Sequence, residues 1–321
     1  MTLRWNTILL MCLTLAAFCL SLMAGKAWIW PAAWFDNTAD GWIFLELRLP
    51  RALLGLGIGA ALGLSGAVLQ GYLRNALADP TVLGVSSSAA FGGVAAIFLG
   101  LNSLPLGLFA CAMLGAGASI IALLALARGG GPLGFILGGM VLSTLAGAMT
   151  AFLISIAPNP FATSEIINWL MGALTDRLMN DAIQALPFIA AGGALLLTTG
   201  RSLDALTIGV NGARSLGVDI GRLQWVIVVG VGLSVGASVA VSGVVGFVGL
   251  IVPHLMRRIY GEQPSAILLP SAVGGALLTL TADSIIRIIP GPTEIRLGIA
   301  MALLGAPFFF FLLQKKQGRM L

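Results

Sequence analysis

Long apolar runs, separated by short polar stretches, fill this chain, and the polar positions inside the runs follow no two-residue alternation. A membrane-crossing helix needs ~20 mostly apolar residues, whereas a barrel strand alternates between lipid-facing and lumen-facing positions. The pattern therefore predicts helices, over residues 5–24, 51–73, 82–101, 105–127, 133–156, 182–199, 223–241, 244–259, 266–289 and 297–313. Ser86-Ser87-Ser88 interrupts the third of these ten spans, and Pro253-His254 falls inside the eighth. The expected fold is an all-α integral membrane protein, with residues 1–321 forming a single transmembrane domain. The apolar run Ile8–Ala24 behind Arg4 is longer than a signal-peptide core, and is read as a retained span. Gly55, Gly59 and Gly63 recur every fourth residue on one face of the second span, a pattern that lets helix backbones approach closely in a bilayer.

Two polar segments stand out between the spans. Asn159–Asp181 is too polar to cross; Ser164 is predicted to cap a short external helix near 164–175, with Glu165 in its first turn. Trp169 and Leu170 would then face the membrane or a partner. Gly200–Arg222 forms the largest internal loop, where Leu203, Leu206, Val210, Ala213 and Leu216 keep a helical rhythm. Gly209, Gly212 and Gly217 break that rhythm into short pieces. Such a segment is either an ordinary connection or a docking surface.

Composition narrows the class. Of 321 residues, 58% are hydrophobic and 9% charged, with a mean hydropathy of +1.02. Soluble domains carry about 25% charged residues, so a water-soluble fold is excluded. The basic balance, with pI ≈ 9.6, comes from loop residues of the kind that orient membrane proteins, and does not indicate nucleic acid. An even number of spans puts both termini on one side. The tail Lys315-Lys316-Gln317-Gly318-Arg319 places that side in the cytoplasm. Eleven basic residues then lie inside (Arg4, Arg74, Arg128, Arg201, Arg214, Arg222, Arg257, Arg258, Lys315, Lys316, Arg319) against six outside (Lys26, Arg48, Arg51, Arg177, Arg287, Arg296). Cys12, Cys19 and Cys111 sit in apolar runs without metal-ligand spacing, as packing residues do.

Candidate chemistry is sparse. Gly63-Leu64-Ser65-Gly66 matches a short signature of intramembrane serine proteases, and His254 is the chain's single histidine. Nucleophilic catalysis needs the two within hydrogen-bond reach, yet Ser65 lies mid-span and His254 towards a cytoplasmic end. An ion-coupled carrier would keep ionisable groups in mid-membrane. The clearest exception to the charge-free interiors is Asp283, four residues before Arg287 near an outer end, where the spacing predicts an ion pair. No G-x-x-x-x-G-K-[ST] loop is present, so ATP-driven transport requires an ATPase on another chain. Pro50 suits a first helical turn and puts Arg51 beside it, with Arg48 just before. Cations there oppose the helix dipole by about 0.3–1 kcal/mol each. With Arg287 and Arg296 they form an external basic rim suited to an anionic partner, lipid headgroups and a local pair with Glu46 being the competing explanations.

Ordered along the whole chain are Arg48-Leu49-Pro50-Arg51, Gly59-Ala60-Ala61-Leu62, Ser65-Gly66-Ala67 with Gln70, Asn75 with Leu77-Ala78-Asp79-Pro80, and Leu83-Gly84-Val85-Ser86. Further on come Leu206 with Gly209, Leu216-Gly217, Gly246-Phe247-Val248-Gly249-Leu250 with Pro253-His254, Ala282-Asp283 and Gly305-Ala306-Pro307-Phe308. In these the chain resembles the FecCD-type permease subunits of binding-protein-dependent ABC importers for iron–siderophore complexes, haem and vitamin B12. The resemblance implies ten helices with cytoplasmic termini in a bacterial inner membrane, a second permease subunit (a copy or a paralogue) and two ATPase subunits. It further implies a periplasmic binding protein received by Arg48, Arg51 and Arg287, to which Arg296 adds charge. It makes Gly200–Arg222 the ATPase-coupling segment, carried by Leu203, Leu206, Gly209, Ala213, Leu216 and Gly217. Asn75 and Leu77 match a cytoplasmic constriction of the pathway. No catalytic, metal or cofactor site is expected on this chain, ATP being used by the partner. The expected cargo is a ferric siderophore, with haem or vitamin B12 as the alternative. Three departures from the family pattern occur: Ala76 where proline is usual, Ser88-Ala89 for Gly-Ala, and Glu294-Ile295-Arg296 for Glu-Leu-Pro.

Overall fold

A computed structural model describes residues 2–36, 38–126, 131–291 and 294–317. Arg128 and Arg319, and the side chains of Arg4, Lys315 and Lys316, lie outside the described residues. The main elements are α1 (Thr2–Met23), α2 (Ala39–Tyr72), α3 (Val85–Phe98), α4 (Gly107–Leu126) and α5 (Gly131–Ser155). They continue with α6 (Pro160–Leu170), α7 (Met179–Leu197), α8 (Gly200–Leu206), α9 (Val210–Ser215) and α10 (Ile220–Ser242). The chain closes with α11 (Val248–Tyr260), α12 (Pro264–Ile288) and α13 (Leu297–Gln317).

Every predicted span coincides with one of these helices, but not all have the length of a crossing. Among the described residues seven are long and apolar enough: α1, α2, α4, α5, α7, α10 and α12. The 14-residue α3 and the 13-residue α11 rise about 1.5 Å per residue, well short of a hydrocarbon layer of about 30 Å. Both were the interrupted spans of the sequence. Left-handed Gly84 opens α3 behind the short helical turn Pro80–Leu83, and Phe247, at φ +67°, opens α11.

The central helices α2, α10 and α12 are largely enclosed, while α1, α4, α5 and α7 surround them. Leu114, Ile121, Leu145 and Phe152 stand exposed on the outer helices. In a chain of this hydropathy such faces meet lipid or another subunit. At the centre α2 lies hard against α12. A Cβ on Gly59 would strike the Gly275 carbonyl, one on Gly63 the Ser271 carbonyl, and one on Gly275 the Gly59 carbonyl. The glycine stripe is therefore a backbone-to-backbone crossing. Gly55, one turn away, meets the Leu280 and Leu174 side chains instead.

The segment after α5 differs from expectation. Asn159, not Ser164, caps α6: its Oδ1 accepts from Ala162 N at 2.9 Å, with Pro160 at the first helical position. A residue of extended backbone followed by proline makes the stronger start, so Ser164 and Glu165 fall inside the helix. Trp169 is buried rather than turned to membrane, its indole lying over Gly93, where a side chain would displace it.

Candidate functional site

Two polar clusters sit at opposite ends of the α2–α12 pair. The first gathers the starts of α2 and α13 and the ends of α1 and α12. Arg51 donates Nε to Asp283 Oδ2 at 3.0 Å and Nη2 to Oδ1 at 2.8 Å, a two-pronged contact of the kind guanidinium geometry favours. Its Nη1 lies 2.9 Å from Glu294 Oε2. That carboxylate oxygen also accepts from Thr175 Oγ1 at 3.1 Å. Arg287, one turn beyond Asp283, forms an ion pair with it, Nη2 lying 3.1 Å from Oδ2, and donates Nη2 to Ser21 Oγ at 2.6 Å and Nη1 to the Ala24 carbonyl at 3.2 Å. Arg48 lies on a widened helical turn, Phe44–Arg48, and donates to the Ala24 and Ala27 carbonyls.

The four arginines expected to form the basic rim differ in their accessibility. Arg51 is 9% exposed and Arg287 1%. Both guanidinium groups are taken by carboxylates of the same chain, because a buried charge without a partner is costly. The pair predicted for Asp283 and Arg287 is present, and the sequence did not reveal that Arg51 shares it across 232 residues. Arg48 makes no pair with Glu46; backbone carbonyls hold it instead. Arg296 is partly exposed and reaches Asn168 Oδ1 at 3.4 Å. An open cleft of about 190 Å³ beside the cluster is lined by Lys26, Arg48, Arg51, Arg177 and Glu294. Lys26 and Arg177 thus share a face with Arg48 and Arg51, and neither was among the four arginines expected to form the rim. Burial pulls the Arg177 guanidinium below its usual value, against the attraction of Asp181 and Asp176.

The second cluster lies where α2, α8, α11 and α12 end or begin. Gln70, fully enclosed, donates Nε2 to the Gly249 carbonyl at 3.0 Å and the Ala78 carbonyl at 3.3 Å, and accepts from Arg257 Nη1 at 2.6 Å. A Cβ on Gly66 would strike the Gly249 backbone. Three motifs far apart in sequence, around Ser65-Gly66, Asn75–Pro80 and Gly246–Leu250, therefore meet here. Asn75 and Leu77 are both exposed, and Asn75 Oδ1 ties the loop by accepting from Leu77 N at 2.9 Å. Asp79 caps the next turn through Thr81 N at 2.9 Å, and burial pushes its carboxyl above the usual range despite that bond. Ser65 Oγ lies 3.4 Å from Ser234 Oγ, so its side chain meets a neighbouring helix's serine and not a base.

In the Gly200–Arg222 segment the apolar rhythm points inward. Leu203, Leu206 and Ala213, expected to carry the coupling segment, are buried. The periodic face of an amphipathic helix packs on its own protein. Ile208, at 64% exposure, and Leu216, at 66%, are what the segment presents. Gly209 (φ +98°) and Gly217 (φ +83°) are left-handed and close the two short helices, a conformation that disfavours any side chain. Ile208 escaped notice because it falls off the helical period. Asp204 fastens α8 to the start of α12: it accepts from Ser265 N at 2.8 Å, Ser265 Oγ at 2.6 Å and Gln263 Nε2 at 2.8 Å.

Among the described residues no group of three or more His, Cys, Asp or Glu converges as a metal site. What the molecule offers is a charged face at one end, a loop pair with exposed apolar residues at the other, and closely packed helices between. The sequence pattern of the FecCD transport family matches residues 13–315. The chain belongs to that family. It is accordingly a multi-pass membrane protein and a permease component of an ABC importer. It is 38% identical over 278 residues to the cobalamin import system permease protein BtuC of Halobacterium salinarum, covering 86% of this chain and 74% of that one. It is 37% identical over 317 residues to the vitamin B12 import system permease protein BtuC of Vibrio cholerae, covering 97% and 94%. Its fold matches an inward-facing conformation of a putative metal-chelate type ABC transporter with a TM-score of 0.89 at 33% identity, over 97% of this chain and 99% of that one.

Proposed function

We propose that this permease moves a bulky metal chelate from periplasm to cytoplasm across a bacterial inner membrane, and that vitamin B12, a cobalt chelate, is its cargo. The similarity to permeases named for cobalamin import, at 37–38% identity over most of the chain, carries this reading. A ferric siderophore is the second reading, favoured by the likeness to a metal-chelate type transporter. The chain forms a single transmembrane domain that pairs with a second permease subunit around the pathway. Two ATPase subunits seat on the α8–α9 loop pair and supply the energy, since this sequence has no phosphate-binding loop of its own. Asn75 and Leu77 narrow the cytoplasmic mouth. A periplasmic binding protein docks its acidic residues on the opposite face, where Arg48 and Arg296 are accessible and Arg51 and Arg287 lie beneath them, held by Asp283 and Glu294.

Uptake of radiolabelled cobalamin and of ferric siderophores, in cells with and without the gene, tests the cargo. Loss of cobalamin uptake alone is the expected result. Loss of siderophore uptake alone replaces the first reading with the second, and unchanged uptake of both refutes the chelate reading.

A further inference from the structure

Between the ends of α2 and α11 and the start of α12 opens a cleft of about 490 Å³, lined among others by Arg74, Arg257, Arg258, Glu262 and Thr207. Three arginines there face a single carboxylate. Glu262 is largely exposed and stands 3.9 Å from Arg257 Nε, too far and too solvated to neutralise it. Arg74 and Arg258 have no carboxylate partner among the described residues. The cleft is also built. Gln70, itself 2% exposed, holds Arg257 through a 2.6 Å bond to Nη1, so that the guanidinium is oriented before any ligand arrives. Arg74 adopts φ +50° just past the end of α2. Glycine is the residue at ease there, and glycine would discard the charge.

The shafts of α2 and α12 are largely enclosed by other helices, and the cleft lies at their ends, where Arg74 and Arg258 are exposed. Thr207, on its rim, directly precedes the exposed Ile208. A protein seated on Ile208 therefore contacts the residue next in the chain to the lining of the cleft. We infer that this cleft receives carboxylate side chains of the ATPase subunit, as a charged socket beside the apolar contact of the α8–α9 pair. The inference rests on the proposed seating of the ATPase on that pair. Basic residues in a preorganised pocket select an acidic partner and fix its register.

The test measures ATPase binding to the purified permease in detergent or nanodiscs, for Arg74→Gly, for Arg74→Glu with Arg258→Glu, and for Ile208→Asp with Leu216→Asp. Arg74→Gly suits the local backbone and keeps the helix end folded, so lost binding cannot be ascribed to misfolding. The inference expects at least tenfold weaker binding with Arg74→Gly, a larger loss with the double reversal, and wild-type binding that weakens steeply with salt. Normal, salt-insensitive binding in both arginine variants overturns it, and retention of anionic phospholipid by wild type but not by the double reversal would then mark the cleft as a lipid site. If binding also survives the Ile208 and Leu216 changes, the seating on α8–α9 is itself wrong. Loss in those variants alone leaves the seating standing and removes the socket.

Discussion

Asp283 is the residue on which the outer cluster depends. It pairs with both Arg51 and Arg287, and no other carboxylate reaches Arg287 among the described residues. Replacing it with alanine leaves the enclosed Arg287 guanidinium without a counter-charge and Arg51 with Glu294 alone, a loss of about 3–5 kcal/mol. Thermal unfolding in detergent should show Asp283→Ala strongly destabilised. Glu294→Gln should cost less, because Glu294 is partly exposed and water can replace it. The sequence showed the Asp283–Arg287 spacing, since four residues along a helix share a face. It could not show Arg51 joining them, because a contact across 232 residues has no local signature.

At the scale of elements, the α2–α12 crossing and the α8–α12 staple decide how the ends are placed. Gly63→Val should abolish the folded, monodisperse protein, since its Cβ meets the Ser271 carbonyl and backbone cannot step aside. Gly55→Ala, whose Cβ approaches only leucine methyl groups at 3.2–3.4 Å, should be tolerated. Size-exclusion profiles of the two variants make the comparison.

The staple carries a pH signature. Partial burial raises the Asp204 pKa, but the bonds from Ser265 and Gln263 together outweigh it and hold the carboxyl below its ordinary range. A depressed folded pKa stabilises above the unfolded value, and that contribution disappears as pH falls through the folded one. Amide protection in α8–α9, measured against the intrinsic exchange rate at each pH, should thus be full at neutral pH, begin to fall as pH drops into the ordinary aspartate range, and be lost in stronger acid. Asp204→Asn should lower it already at neutral pH. The start of the short helix α6 was misplaced by sequence because one capping residue moves it. Asn159 outcompetes Ser164 through its extended backbone and the following proline, a preference that only becomes visible once the chain's path is known.

For the whole molecule, the two clusters mark opposite faces, and orientation follows from charge. In a chain with Cys12, Cys19 and Cys111 replaced, a cysteine at Ser103 should react with an impermeant maleimide added outside. A cysteine at Ser215 should react only after permeabilisation. The reverse labelling would overturn the cytoplasmic placement of α8–α9, and with it the seating of the ATPase there.

Hydropathy and periodicity by themselves determined that the chain is helical and membrane-embedded, and where each long helix lies, because lipid forces every backbone group to be satisfied within its own segment. Ordered motifs, spread over nearly the full length, determined the family. Only the tertiary structure decided which arginines are buried and which are accessible. It also turned Leu203, Leu206 and Ala213 inward while leaving Ile208 outside, and assembled the socket around Arg257. Those properties depend on which helix ends meet in space. Period and composition describe a helix's faces one at a time and carry no information on the neighbour each face will find.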